Sequence, residues 1–223
     1  MLLVALALTS LTSPAGSMQE FPRPKGAIVL FDGRDTSAWV QRDDKSPCKW
    51  DVIDGALVVK NGTSDIMTKQ EFGDYRLHLE FWLPNLPDRK DQAKANSGVY
   101  NQGRYEIQIL DSFNNPTYKF GGVGSIYAQK DPDQNAVKPP ENWNIYDIVL
   151  RSARVDAKGD LVSKPRISVW HNGLRIHRDV EINTPMTAAG IEGKWVTKGP
   201  IMLQNHGAPV RFRNIWIVED KRS

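Results

Sequence analysis

Beyond Pro24 the chain shows almost no apolar spacing of three and four sustained over ten residues. Short alternating runs rich in Val, Ile, Tyr, Phe and Trp recur instead, about every dozen positions. That pattern predicts an all-β protein. The expected strands are Ala27 to Phe31, Trp50 to Ile53, Ala56 to Lys60, Tyr75 to Leu83, Gly98 to Asn101, Tyr105 to Leu110, Ser125 to Ala128, Asn144 to Ser152, Arg166 to His171, Leu174 to Arg178, Pro200 to Gln204 and Val210 to Val218. Asp54-Gly55 and Asn172-Gly173 each separate two runs by two residues, and both pairs suit the positive φ angles of a type I′ hairpin turn. The polar, Pro-containing segments Pro84 to Ala95 and Lys130 to Glu141 read as long rim loops.

Alternation also assigns faces, because successive strand side chains point to opposite sides. Tyr75, Leu77, Leu79, Phe81 and Leu83 form one apolar set, with Arg76, His78, Glu80 and Trp82 behind them. Tyr105, Ile107 and Ile109 oppose Arg104, Glu106 and Gln108; Met202, Gln204 and His206 alternate with Ile201 and Leu203; Arg211 and Arg213 oppose Phe212. Solvated sheet faces ordinarily carry Lys, Glu, Thr and Ser. His, Gln, Arg, Trp and Tyr on these second faces suit hydrogen bonding and stacking against a polyhydroxylated ligand, so the reading is one ligand-binding face.

Composition narrows the function classes. The 223 residues are 40% hydrophobic and 25% charged, within ordinary globular usage, and a single domain over residues 18–223 is expected. The formal charge is +3 with the basic residues dispersed, so no nucleic-acid partner is expected. Residues 1–17, MLLVALALTSLTSPAGS, run apolar and then small and polar, with Ala15 and Ser17 placed as a cleavage site. They read as a signal peptide without the usual basic start. No later segment has the 18 apolar residues of a membrane span. Export combined with a lone cysteine, Cys48, points to a bacterial secreted or periplasmic protein. No tight metal-ligand spacing and no Gly-rich nucleotide loop is present; a divalent cation stays open where Asp, Glu and His converge, with no cofactor specified.

The segments NSGVYNQGRYEIQILDS (96–112), GSIYAQ (124–129), PPENW (139–143) and GPIMLQNHGAPVRFRNIWI (199–217), preceded by IVLFDGRDTSAW (28–39) and WDVIDGALVV (50–59), resemble the bacterial domain family named for 3-keto-disaccharide hydrolases. The resemblance covers nearly all of the chain after residue 25. It implies a concanavalin A-like jelly-roll sandwich of two antiparallel sheets that holds its ligand on one sheet. It also implies a carbohydrate substrate, a 3-keto-sugar glycoside. Fold alone does not establish catalysis.

Glucanases of that fold class carry E-x-D-x-x-E on one strand, and the equivalent spacing here is Glu106, Gln108, Asp111. An amide cannot relay a proton, and Asp is shorter than Glu, so the two-carboxylate retaining route is disfavoured. Gln108 and Asp111 are then grouped with substrate binding. Oxidation at C3 makes the C2 proton acidic, and one positioned base can start elimination of the C1 substituent, with water adding afterwards. By motif position Glu106 is the expected base and His206 an acid or orienting group. Arg211 or Arg213 would steady the enolate oxygen, and Tyr100, Tyr127, Trp143 and Gln204 would contact sugar. Where the family reads Q-D-H-G, this chain has Asn205 in place of the acid. The alternative is a non-catalytic, lectin-like carbohydrate-binding module on the same face.

Overall fold

The computed structural model describes residues 21–220; the leader expected over residues 1–17 lies outside them. Among the described residues fifteen strands pair antiparallel throughout. They are β1 (Ile28–Phe31), β2 (Trp39–Gln41), β3 (Asp51–Ile53), β4 (Ala56–Val58), β5 (Ile66–Thr68), β6 (Tyr75–Trp82), β7 (Ser97–Asn101), β8 (Tyr105–Ile109), β9 (Trp143–Arg151), β10 (Arg154–Val155), β11 (Leu161–Ser163), β12 (Arg166–His171), β13 (Leu174–Glu181), β14 (Met202–Leu203) and β15 (Arg211–Glu219). The larger sheet runs β13-β12-β9-β6-β15-β4-β3, with β1 on the remaining edge of β15, and the smaller runs β2-β5-β14-β7-β8. β10 and β11 form a separate ribbon. This is the all-β sandwich of two antiparallel sheets that the alternation and the resemblance predict.

The inner faces make the core. Leu77, Leu79 and Phe81 of β6, Ile107 and Ile109 of β8, and Phe212 and Ile217 of β15 are completely buried, each removing apolar surface worth about 25 cal/mol per Å² from water. Both predicted hairpins form: Asp54 and Gly55 take φ of 52° and 73°, Asn172 and Gly173 51° and 79°, as a type I′ turn requires. Asn172 does more than turn. Its Oδ1 accepts the Ile145 N–H at 2.9 Å while its Nδ2 donates to the Ala136 carbonyl at 2.8 Å.

The differences from the sequence reading have local causes. Ser125 to Ala128 is not a strand; it touches β8 through one bridge, Ile107 with Ile126, and otherwise turns. β2, β5, β10 and β11 are only two or three residues long, too short for alternation to mark. On β15 an irregularity lies between Arg213, opposite Glu80, and Trp216, opposite His78, with Asn214 at φ 48°. Three residues therefore span what two span on β6, a bulge. It carries Trp216 to the outer face, where its ring stacks on His78 at 4.8 Å. Phe21 lies against the same outer face, in edge contact with Trp170 at 5.1 Å and beneath the Arg76 guanidinium at 5.5 Å.

Candidate active site

The site lies on the outer face of the smaller sheet. Register places Glu106 opposite Tyr100, and Gln108 opposite Gly98, on the paired strands β8 and β7. Met202 of β14 pairs with Tyr100 on the other side, and the Gln204 N–H continues the ladder to the Gly98 carbonyl at 3.0 Å. Alternation then puts Glu106, Gln108, Tyr100 and Gln204 on one face. Loops close it into a cleft of about 260 Å³, adding Gln92 and Asn96, Tyr118 and Tyr127, Ala188 and Ala189, and His206. The free edge of β8 is covered, because the Tyr127 backbone N–H donates to the Glu106 carbonyl and the Glu106 N–H donates to the Thr187 hydroxyl at 3.0 Å.

Glu106 is 3% exposed. Burial pushes its carboxyl up to about 8, the Asp65 charge adds to the rise, and a hydrogen bond with the Tyr100 hydroxyl opposes it. Room for that carboxyl comes from a glycine. A Cβ on Gly98 would stand 2.3 Å from Glu106 Oε1 and 3.0 Å from Cδ, so the side chain lies over bare backbone. The Tyr100 hydroxyl accepts from Gln204 Nε2 at 3.0 Å and sits 3.1 Å from the Ala188 carbonyl; burial and the neighbouring Glu106 carboxylate raise it far above the usual phenol range. At the cleft mouth the Tyr118 and Tyr127 hydroxyls are hydrogen-bonded to each other, which leaves one of the two protons free for a ligand.

Six of the residues singled out in the sequence thus line one cleft: Tyr100, Glu106, Gln108, Tyr127, Gln204 and His206. Four lie elsewhere. Asp111 follows the end of β8, where alternation has lapsed. It is completely buried, with its carboxylate 3.2 Å from Lys94 Nζ and accepting the Phe113 N–H. Arg211, Arg213 and Trp143 are on the outer face of the larger sheet, across the sandwich from Glu106. Arg213 pairs with Glu80 at 2.7 Å and lies 3.9 Å over the Trp143 ring, and Arg211 covers Trp82 at 4.6 Å. Alternation gives a residue its face but not its sheet, which is why two polar faces read as one.

Asn205 ties loops together: its Nδ2 donates to the Lys60 and Thr63 carbonyls, both at 2.8 Å, and its Oδ1 accepts the Gly207 N–H. Sequence reasoning missed Gln92, Asn96, Tyr118, Ala188 and Ala189. All five lie outside the strands, where there is no periodicity, and only the polar length of Pro84 to Ala95 hinted at a rim element. Among the described residues, no group of three or more His, Cys, Asp and Glu side chains is placed to hold a metal ion.

The family model of the 3-keto-alpha-glucoside-1,2-lyase-like domain matches residues 26–218. A candidate glycosyl hydrolase of Parabacteroides distasonis is 41% identical, with a TM-score of 0.82 over 88% of this chain and 85% of that one. Two further candidate glycosyl hydrolases of that organism share the fold at 19% and 22% identity, with TM-scores of 0.66 and 0.60 over 88% and 87% of this chain and 94% and 99% of theirs. None of the curated proteins matches. The role is a carbohydrate-active one, and the chain belongs to the 3-keto-alpha-glucoside-1,2-lyase-like domain family.

Proposed function

We propose that this protein cleaves 3-keto-glycosides by elimination, with Glu106 as the general base. The observation that carries the reading is a single buried carboxyl, held near pH 8 over a glycine at the floor of a sugar-sized cleft. The Glu106 carboxylate takes the C2 proton, and the C–H electron pair becomes the C2–C3 double bond of an enolate whose charge rests on the C3 oxygen. Collapse restores the C3 carbonyl, forms the C1–C2 double bond and breaks the bond from C1 to the aglycone oxygen, which leaves with a proton. Water then adds to the enone. A base with a pKa near the working pH is the efficient choice for such a step.

Glu106 is the one carboxylate among the described residues that line the cleft, which argues against hydrolysis by a carboxylate pair. With the arginines elsewhere, the donors available to the enolate and leaving oxygens are the Tyr118–Tyr127 pair and His206. The test is release of a chromogenic aglycone from a 3-keto-glucoside and from the unoxidised glucoside. Turnover confined to the keto substrate supports elimination; equal turnover of both, or turnover of neither by folded protein, overturns it, and binding without turnover points to a carbohydrate-binding module.

A further inference from the structure

The face that carries the cleft runs on across the smaller sheet to β5 and β2. Arg42 directly follows β2 and Asp65 directly precedes β5, and the Arg42 N–H donates to the Asp65 carbonyl at 2.8 Å, one step past the pair of Gln41 and Ile66. Ile66 pairs with Leu203, and Leu203 with Val99. The next step along the strands therefore sets Asp65 in line with Gln204, Gly98 and Gln108, and alternation turns this row to the Glu106 side. Arg42 and Asp65 form an ion pair at 2.9 Å, with side chains 31% and 14% exposed. Each partner holds one wall of the cleft. Asp65 Oδ1 accepts the Asn205 N–H at 2.9 Å, between Gln204 and His206. Arg42 Nη2 donates to the Gly190 carbonyl at 3.3 Å, immediately after Ala188 and Ala189. Those two segments supply both partners of the Tyr100 hydroxyl, Gln204 Nε2 and the Ala188 carbonyl, and Tyr100 bonds the Glu106 carboxyl. An ion pair this exposed adds little to stability by itself; what distinguishes it is the two loops it ties together.

We infer that Arg42 and Asp65 are positioning residues of the Glu106 site: their ion pair clamps the two segments that orient the Tyr100 hydroxyl, and its charges set the field in which the Glu106 carboxyl works. The inference rests on the reading of Glu106 as the base and adds the device that tunes it. The two charges act in opposite senses. The Asp65 carboxylate disfavours a second negative charge at Glu106, and the Arg42 guanidinium offsets part of that repulsion. The other ionisable groups lining the cleft with Glu106 are Tyr100, Tyr118, Tyr127 and His206. Arg104, two residues earlier on the same strand, is committed to the Ile191 carbonyl at 2.6 Å. Neither Arg42 nor Asp65 stands out in the sequence, because β2 and β5 are three residues each and show no period.

The test reads the carboxyl itself, without substrate. In protein carrying carbon-13 in its glutamate carboxyls, the Glu106 resonance is assigned by its loss in Glu106→Gln and followed by NMR through its titration. Asp65→Asn keeps an oxygen for the Asn205 N–H and removes the charge, so the midpoint should fall by about half a pH unit or more. Arg42→Gln leaves Asp65 uncompensated, so the midpoint should rise. Loosened packing would hydrate the carboxyl and lower the midpoint in both variants, so opposed displacements identify the field. Midpoints unmoved in both, or lowered in both, overturn the inference. Should Asp65→Asn not fold, the direction in Arg42→Gln decides alone. Should Arg42→Gln not fold, salt at about 1 M decides: the difference between Asp65→Asn and wild type should shrink by screening, and its full persistence overturns the inference. With a 3-keto-glucoside as substrate, the acid limb of kcat/KM should follow each midpoint. Opposed midpoints without turnover of any 3-keto-glycoside would remove the proposed reaction and leave the ion pair its role. Turnover with unmoved midpoints would do the reverse.

Discussion

Replacing Glu106 with Gln separates two consequences of burying a carboxyl. Loss of the base should cut turnover of a 3-keto-glucoside by about 10²–10⁴-fold. The same change should stabilise the fold in alkali. The folded carboxyl titrates near 8 against 4.5 for an unperturbed one, so its burial costs nothing below about pH 4.5, and the cost grows to a few kcal/mol as the pH rises through 8. Melting temperatures of wild type and Glu106→Gln should therefore coincide near pH 4 and diverge by pH 8–9, with the variant higher. For the wild type, kcat/KM should rise with pH and level off above about 8, because the base must be unprotonated. Gly98→Ala carries the matching steric test. Its methyl would collide with Glu106 Oε1, so kcat should fall at least about tenfold while the melting temperature moves little, alanine being the smaller disturbance to an extended strand.

At the scale of elements, the hairpins and the long strands were legible in the sequence because their signals are local. Asp-Gly and Asn-Gly turns require positive φ, and an eight-residue run such as β6 shows its period. Asn172→Ala should cost about 2 kcal/mol or more, since alanine is disfavoured at φ 51° and three side-chain hydrogen bonds are lost; chemical denaturation would measure it, and the cleft should bind its ligand unchanged. What was not legible is of another kind. The β15 bulge moves Trp216 across the sheet through a single inserted residue, and no periodicity announces it. The sheet to which a strand belongs is fixed by long-range pairing, so Arg211, Arg213 and Trp143 carried the right residue types on the wrong side of the sandwich. Gln92 and Tyr118 reach the cleft from loops whose course is set by tertiary contacts, among them the Gln92 bonds to Thr117 and Gly121.

For the whole molecule, stability should pass through a maximum near pH 6.5. Two core histidines, His171 and His177, are held neutral by burial, at about 3 and about 4 against 6.5. His171 packs against the rings of Phe81 and Tyr146, and His177 bonds the Gly124 carbonyl at 2.7 Å. Depressed imidazoles contribute fully above pH 6.5, and their contribution is lost as the pH falls from there towards 4 and 3. Glu106 acts in the opposite sense between 4.5 and 8. Below 6.5 two imidazoles outweigh one carboxyl; above it only the carboxyl titrates. Calorimetric melting from pH 4 to 9 should give a curve that falls on both sides, and Glu106→Gln should flatten the alkaline side and steepen the acid side between about 4.5 and 6.5.

The placement of Phe21 has a consequence for orientation. The chain enters the described fold across the back of the larger sheet, beside Arg76 and Trp170, and it leaves from β15 in the middle of that same sheet. Glu106 opens on the far side. The cleft therefore lies on the opposite sheet from Phe21 and from β15.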